Sequence, residues 1–294
     1  MSGKFRKIGI IGKFRDDSVS NTIQNLHNFL IERGCTVLLD EVTAMLLPHL
    51  DIPVGDREAL GDFADLVIIV GGDGTFLNAA RTLNDYHVPL LGINLGRLGF
   101  LTDIHSKKIR GRLGAILDGE YVEEERSLLH GSFEYESGEG EISHSDAFND
   151  IVVHKGHVAR MIELDLYING QYVNTQRADG LIVSTPTGST AYALSGGGPI
   201  LHPELDAMVL VPICPHTMSQ RPIVIDANSD IEIRISDNNH GDALVTCDGQ
   251  LNVELGIGDC VRITKKKTPV HLIHPADYNY YEILRAKLHW AHRL

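Results

Sequence analysis

Apolar residues in the first hundred positions form short continuous runs, which are separated by longer stretches of amphipathic character. The run Leu66–Val70 is wholly apolar, as is typical of a strand buried on both faces of a parallel sheet. Strands that alternate with helices imply βαβ crossovers. We therefore predict an α/β N-terminal domain with a mostly parallel sheet, built from strands over 7–11, 36–39, 66–70 and 88–93 and helices over 20–33 and 76–83, with a further helix over 106–117.

Beyond about residue 121 the apolar runs become short and alternate with polar positions. Asn169-Gly170 lies between two such runs, 161–168 and 171–175, and this dipeptide is the strongest short signal for a β-hairpin. Such a pattern is typical of an antiparallel, β-rich domain. We predict further strands over 222–225, 231–235, 243–246, 260–264 and 270–273, and a final helix over 281–290.

The stretch after Leu66–Val70 reads GGDGT over 71–75 and carries the first candidate chemistry. Glycines directly after a buried strand let the backbone turn tightly and approach a ligand. A helix that begins there, with Thr75 as its predicted N-cap, points N–H groups at an anion such as phosphate. A carboxylate at the mouth of such a cradle, that of Asp73, either holds a metal ion or takes a proton; the bland alternative is a local turn hydrogen bond.

Composition and charge argue against several classes of protein. The chain has 294 residues and a net charge of −13, which argues against a protein whose main ligand is the nucleic-acid backbone. It shows neither a signal peptide nor an apolar run long enough for a membrane span, so we predict no membrane partner. Four scattered cysteines indicate neither a zinc site nor a disulfide framework, so we expect a reduced, cytoplasmic protein.

Four stretches together carry a resemblance to the NAD kinases. GGDGT alone is shared with the diacylglycerol and sphingosine kinases and with the phosphofructokinases. Three more stretches resemble NAD kinase motifs in the expected order: the glycine-rich segment 92–101, the pair Asn149-Asp150, and the long run 179–192. The resemblance spans nearly the whole chain. In its length and C-terminal tail, the chain resembles the bacterial type of the family.

This resemblance implies an ATP-dependent phosphotransferase that phosphorylates the 2′-hydroxyl of the adenosine ribose of NAD to give NADP. It implies Mg²⁺ or Mn²⁺ with the substrates ATP and NAD, and a homo-oligomer, either a dimer or a tetramer, and it assigns no metal ligands. It also implies that the final helix returns to the first domain. We therefore place the α/β domain at 1–100 plus 276–294 and the β-rich, NAD-binding domain at 101–275.

The family motifs assign residues to roles at matching positions of this sequence. Asp73 corresponds to the general base, and Gly74 lies in its phosphate cradle. Asn149 and Asp150 correspond to a pair that grips the ribose, although the bland alternative is a strand-entry cap. Position 150 is often Glu in this family, so Asp shortens that grip. The remaining expected NAD contacts are Arg160, Arg177, Asp179, Thr190, Ala191, Tyr192, Ser195 and, on a weaker match, Gln250.

Several alternatives stay open at this point. A lipid kinase of the same superfamily would need an apolar trough or a basic patch, and a non-catalytic dinucleotide sensor would gain little from Asp73. The sequence has no GxxxxGK[ST] motif and no GxGxxG after its first strand, which disfavours a P-loop kinase and a Rossmann dehydrogenase. The segment 154–157 (HKGH) is interpreted as a loop rather than a metal site.

Overall fold

A computed structural model describes residues 4–13, 17–45, 47, 51–96, 98–136, 143–156, 160–239 and 242–290. The chain divides into two compact units: Met1–Glu125 together with Val270–Leu294, and Arg126–Pro269. No helix within the described ranges is long and apolar enough to cross a membrane.

The elements are numbered here in chain order. The strands are β1 Lys7–Gly12, β2 Thr36–Asp40, β3 Val54–Gly55, β4 Leu66–Val70, β5 Leu90–Asn94, β6 Ile104–His105, β7 Tyr121–Arg126, β8 Leu129–Glu134, β9 Ser143–Ala147, β10 Asp150–Lys155, β11 Ile162–Ile168, β12 Gln171–Ala178, β13 Gly180–Ser184, β14 Ala207–Ile213, β15 Ile223–Asp226, β16 Ile231–Ile235, β17 Ala243–Cys247, β18 Leu251–Leu255, β19 Cys260–Lys265 and β20 Val270–Pro275. The helices are α1 Asp17–Glu32, α2 Glu41–Ala44, α3 Arg57–Phe63, α4 Asp73–Leu83, α5 Ile109–Leu117, α6 Tyr192–Ser195 and α7 Tyr280–Leu288. Short 3₁₀ turns cover Asn84–Tyr86, Ser106–Lys108 and Gly188–Thr190.

The first unit is organised around one sheet with the strand order β3-β2-β1-β4-β5-β20-β7, in which β6 also pairs with β5. β4 lies between β1 and β5 and is parallel to both. Its five residues are fully buried, as the continuous apolar run predicts. The mostly parallel sheet is therefore confirmed, and it brings the carboxyl ends of β4 and β5 to the same edge, where ligands of open α/β sheets bind.

The last strand and helix complete this first unit. β20 pairs in parallel with β5 through Leu272 and Leu90, and α7 buries Ile283 and Leu284. The imidazole of His274, at the end of β20, lies 2.9 Å from a carboxylate oxygen of Asp103 and 3.1 Å from one of Glu124. Burial opposes its charge, but these hydrogen bonds outweigh burial and raise the pKa of His274. The predicted return of the tail to the first domain is confirmed.

The second unit is a β-sandwich of two six-stranded antiparallel sheets. Their strand orders are β15-β14-β13-β10-β17-β18 and β12-β11-β16-β19-β8-β9. In β16, Ile231, Ile233 and Ile235 are buried in the core that the sheets share, and the intervening Glu232 and Arg234 point outward. This alternation is what a sheet with one packed face requires, and it confirms the predicted β-rich domain.

The β11–β12 hairpin forms at the predicted dipeptide. Asn169 and Gly170 have φ values of 52° and 71°, which is the left-handed conformation that a two-residue hairpin turn of the primed type needs at both positions. The second strand of this hairpin is longer than predicted and reaches Ala178.

Three sequence-based expectations differ from the structure. Thr75 is not the N-cap of α4, because the helix begins at Asp73 and Gly72 occupies the capping position. The strand predicted at 270–273 lies in the first sheet rather than in the β-rich domain. The boundaries between the compact units fall at 125/126 and 269/270 rather than at the predicted 100/101 and 275/276, because β6, α5 and β20 all belong to the first unit.

Candidate functional site

The first group of candidate residues lies at the carboxyl end of β4. The chain turns through Gly71 and Gly72 and enters α4 at Asp73, and the capping residue of this eleven-residue helix, Gly72, has no side chain with which to cap it. A Cβ added at Gly72 or Gly74 would meet no atom of the described residues within 4 Å. Packing within the protein therefore does not explain these two glycines, whereas a ligand that approaches the helix N-terminus would.

The carboxylate of Asp73 is half-buried and held by the turn after β5. The backbone N–H of Phe100 donates to its Oδ2 at 3.0 Å, and the N–H of Leu101 donates to its Oδ1 at 3.1 Å. Two hydrogen bonds of this kind fix the orientation of the carboxylate. The bland expectation of a local turn hydrogen bond is wrong, because the donors lie more than 25 residues away in sequence.

The second group lies in the β-sandwich unit, in the turn that leads into β10. Three consecutive N–H groups, those of Phe148, Asn149 and Asp150, donate to the carboxylate of Asp248 at 3.0, 2.7 and 3.2 Å. The N–H of Asp248 in return donates to the carbonyl oxygen of Asp150 at 2.9 Å. Asp248 has a φ of 51°, a conformation that Asp tolerates, and it therefore organises the turn that carries the predicted ribose-binding pair.

The same turn is fixed from its other side by the run 179–192. The hydroxyl of Thr185 donates to the carbonyl oxygen of Phe148 at 2.7 Å, and its N–H donates to that of Asn149 at 2.9 Å. A Cβ at Gly188 would lie 2.1 Å from the carbonyl oxygen of Asn149. Only glycine therefore permits this close approach of the two loops.

Asp150 is the most strongly perturbed acid of this group. Its side chain is buried, and burial, followed by the negative charge of Asp248, raises the pKa of Asp150 from 3.8 to about 7. Near neutral pH this carboxyl group exists in both protonation states, so it can donate a hydrogen bond to a hydroxyl group as well as accept one.

Five of the predicted NAD-binding residues line one cavity of about 580 Å³ on this unit: Asn149, Asp150, Asp179, Ala191 and Tyr192. Lys155 also lines it, and its ammonium group donates to Asp179 at 2.8 Å, with both side chains about one-third exposed. Tyr192 is about half exposed, so one face of its ring is available for contact with a planar ligand. A cavity of this size with few, convergent polar groups is typical of a small-molecule site.

The other predicted residues lie elsewhere on the same unit. Arg160 and Arg177 are exposed and line a neighbouring cavity of about 620 Å³, which shares Lys155 and Gly156 with the first. Thr190 donates its hydroxyl to the carbonyl oxygen of Thr187 at 3.2 Å. Ser195 is exposed at the end of α6, and Gln250 is exposed in the β17–β18 turn. The roles of these residues stay predictions.

Sequence reasoning missed Asp248 and Lys155 as parts of this site. Asp248-Gly249 between two short apolar runs is a hairpin signal that could have revealed β18 and a turn carboxylate close to the ribose-binding pair. The sequence indicates Lys155 only as a residue of the HKGH loop. His154, in β10, points its Nδ1 at the carbonyl oxygen of Lys155 at 2.8 Å, and His157 lies outside the described residues.

Comparison with known sequences matches both units to domains of one family. The family model of the ATP-NAD kinase N-terminal domain matches residues 8–121, and that of the ATP-NAD kinase C-terminal domain matches residues 148–275. The chain is 52% identical over 289 residues to the NAD kinase of Hahella chejuensis, covering 98% of this chain and 97% of that protein. It is 50% identical over 290 residues to the NAD kinase of Pseudomonas paraeruginosa, covering 99% and 98%.

Solved structures with the same fold include two nucleotide complexes. Yeast NADH kinase in complex with NADH has a TM-score of 0.90 over 99% of this chain and 92% of its own, at 23% identity, which shows the fold alone. An NAD kinase from Archaeoglobus fulgidus in complex with ATP has a TM-score of 0.73 at 27% identity, over 95% of this chain and 99% of its own. The predicted fold class is thus confirmed.

Proposed function

The chain belongs to the ATP-NAD kinase family. We propose which of its residues bind the substrates and which one takes the proton. The enzyme is an NAD kinase: it transfers the γ-phosphoryl group of ATP to the 2′-hydroxyl of the adenosine ribose of NAD. The relatives that match over nearly the full chain are NAD kinases, so neither the lipid kinase nor the non-catalytic sensor is retained.

Asp73 is the general base of this proposal. The 2′-oxygen forms a bond to the γ-phosphorus while the bond between that phosphorus and the β–γ bridging oxygen breaks, and the hydroxyl proton passes to the Asp73 carboxylate. The observation that carries this role is the carboxylate itself, which lies in the first turn of α4 and accepts hydrogen bonds from two backbone N–H groups. Each of its oxygens keeps a lone pair for the incoming proton.

The N-terminus of α4 is the proposed phosphate contact. Gly72 and Gly74 leave the space around the first turn open, and the helix dipole favours an anion there. Mg²⁺ or Mn²⁺, when bound with ATP, would offset negative charge on the phosphates. The described residues contain no cluster of three or more metal-binding side chains, so phosphate and water oxygens would supply most of the ligands of such an ion.

The cavity lined by Asn149 and Asp150 is the proposed site for the adenosine half of NAD. The amide of Asn149 and the carboxyl group of Asp150 together offer donors and acceptors to vicinal ribose hydroxyls. Tyr192 offers an aromatic face to adenine, and the Lys155–Asp179 pair adds a charged edge. The residues left as further contacts with NAD are Arg160, Arg177, Thr190, Ala191, Ser195 and Gln250.

Two broader features complete the proposal. We expect a homo-oligomer, a dimer or a tetramer, because the family resemblance implies one. We also expect the enzyme in the cytoplasm, since its scattered cysteines suit a reducing compartment and Cys35, Cys214 and Cys260 carry free thiols in the structure.

The position of the new phosphate tests this function. The purified protein is incubated with NAD and ATP–Mg²⁺, and the product is identified by phosphorus NMR against authentic NADP. We expect a 2′-phosphate and no product from an NAD analogue that lacks the adenosine 2′-hydroxyl. Phosphorylation of that analogue, or phosphorylation at another hydroxyl of NAD, would contradict the proposal.

A further inference from the structure

Gly99 lies where the turn after β5 passes closest to the proposed general base. A Cβ at this position would lie 2.1 Å from Oδ1 of Asp73 and 2.3 Å from Oγ1 of Thr102. Neither distance is possible for a real carbon atom, so a side chain here must displace the carboxylate or the turn. The φ of Gly99 lies outside the left-handed region, which means that the steric collision, and not backbone strain, is the reason for glycine.

The turn itself cannot easily move away from Asp73. The side-chain amide of Asn94, at the end of β5, donates to the carbonyl oxygen of Thr102 at 2.9 Å. A Cβ at Gly92 would lie 2.3 Å from the carbonyl oxygen of Leu101, so the turn also packs directly on the backbone of β5. The ring of Phe100 has the ammonium group of Lys287, in α7, 5.5 Å from its centre. The buried sheet therefore holds the turn in place from behind.

We propose that Gly99 is a positioning residue for Asp73, because only glycine lets the N–H groups of Phe100 and Leu101 reach the carboxylate together. This inference rests on the proposed function, in which Asp73 takes the proton. With both oxygens hydrogen-bonded, the carboxylate has one orientation and needs no reorganisation when the hydroxyl arrives. Its role in the reaction is thus shared between a helix N-terminus and a turn 26 residues further along the chain.

The first test is the variant Gly99→Ala, with the steady-state constants kcat and KM measured for both substrates. Because the added Cβ displaces the base and touches no proposed substrate contact, we expect kcat to fall about 100-fold while both KM values change less than about threefold. The matched control is Gly111→Ala in α5, where a Cβ meets no atom within 4 Å and kcat should stay unchanged. A folded Gly99→Ala variant with wild-type kcat would overturn the inference. A rise in KM as large as the fall in kcat would overturn it too.

The second test removes one hydrogen bond without adding an atom. Leu101 is replaced by its α-hydroxy acid through nonsense suppression, so that an ester oxygen stands where the N–H donates to Asp73. We expect kcat to fall about tenfold with KM unchanged, since a charge-assisted hydrogen bond to the base is lost. This variant decides the matter if Gly99→Ala does not fold. An unchanged kcat here would overturn the inference.

Asp73→Asn, assayed alongside, separates the two hypotheses. If Asp73→Asn retains wild-type kcat, the general-base proposal fails. If Asp73→Asn is inactive while Gly99→Ala and the Leu101 ester turn over normally, the base stands and only the positioning role of Gly99 fails.

Discussion

At the scale of single residues, the pair formed by Asp150 and Asp248 shows how one carboxylate can organise a site and perturb another. Asp248 accepts three backbone N–H groups, which offset its charge, whereas the carboxyl group of Asp150 is affected by burial and by the negative charge of Asp248. Burial therefore dominates, and the pKa of Asp150 rises to about 7. A group that titrates there changes both stability and ligand binding near neutral pH.

We predict that Asp150→Asn removes a pH-dependent loss of stability. The folded protein keeps the Asp150 proton up to pH values near 7, whereas the unfolded chain loses it near 3.8. The stability that this proton contributes is therefore complete below the lower value and is lost as pH rises through the higher one. Measured by urea unfolding, the stability of Asp150→Asn relative to wild type should increase between these two pH values and then level off.

Asp230→Asn is the matched control for this prediction, because Asp230 is exposed and belongs to the same unit. Its pH profile should follow that of wild type. A constant difference between Asp150→Asn and wild type across the whole range would contradict the account of Asp150.

At the scale of elements, the β11–β12 hairpin is formed through its two-residue turn, Asn169-Gly170, and neither turn residue is a candidate site residue. We predict that Gly170→Ala lowers the free energy of unfolding by about 1 kcal/mol, because a Cβ at a φ of 71° is strained. The variant should keep wild-type kcat and KM. Urea unfolding and the coupled NADP assay check both statements, and Gly111→Ala, a helical position, should instead gain about 0.5–1 kcal/mol. A loss of turnover in Gly170→Ala would show that the turn of the hairpin, and not only Arg177 near the other end of β12, contributes to the site.

The elements that could be predicted from the sequence are those whose residue pattern directly reflects their surroundings in the folded protein. β4 is apolar throughout because both its faces are buried, and Asn169-Gly170 adopts positive φ wherever it forms a hairpin. β20 has the same short alternating pattern as the sandwich strands, and nothing local indicates that it joins β5 instead. Thr75 likewise has the chemistry of an N-cap, but Gly72 and the tight turn start the helix earlier.

The candidate site was predictable only as far as its motifs reach. Asp73, Asn149 and Asp150 stand in runs whose residue types already indicate ligand chemistry. Asp248 and Gly99 act through contacts with residues 98 and 26 positions away, respectively, and their importance appears only once the chain is folded. A single sequence does not show which of its distant residues come into contact in the fold.

At the scale of the whole molecule, an acidic chain binds two acidic nucleotides. With a net charge of −13, the average field around the protein repels NAD and ATP, so binding depends on the local groups of the site. We predict that KM for NAD falls as NaCl is raised from about 10 to about 150 mM, because screening shortens the range of this repulsion from about 30 to about 8 Å. Steady-state kinetics at fixed free Mg²⁺, repeated with KCl as control, measures it. A KM that rises with salt would show that local cations dominate.

A single-turnover experiment decides whether Asp73 acts as the general base. Wild type and Asp73→Asn are mixed with NAD and γ-labelled ATP–Mg²⁺, phosphoryl transfer is followed by rapid quench, and the affinity for NAD is measured on the same preparations by calorimetry. We predict that transfer slows by about 10²–10⁴-fold, with NAD affinity within about threefold of wild type. Transfer at the wild-type rate, or a loss of NAD affinity as large as the loss of rate, would contradict the assignment of Asp73 as the base.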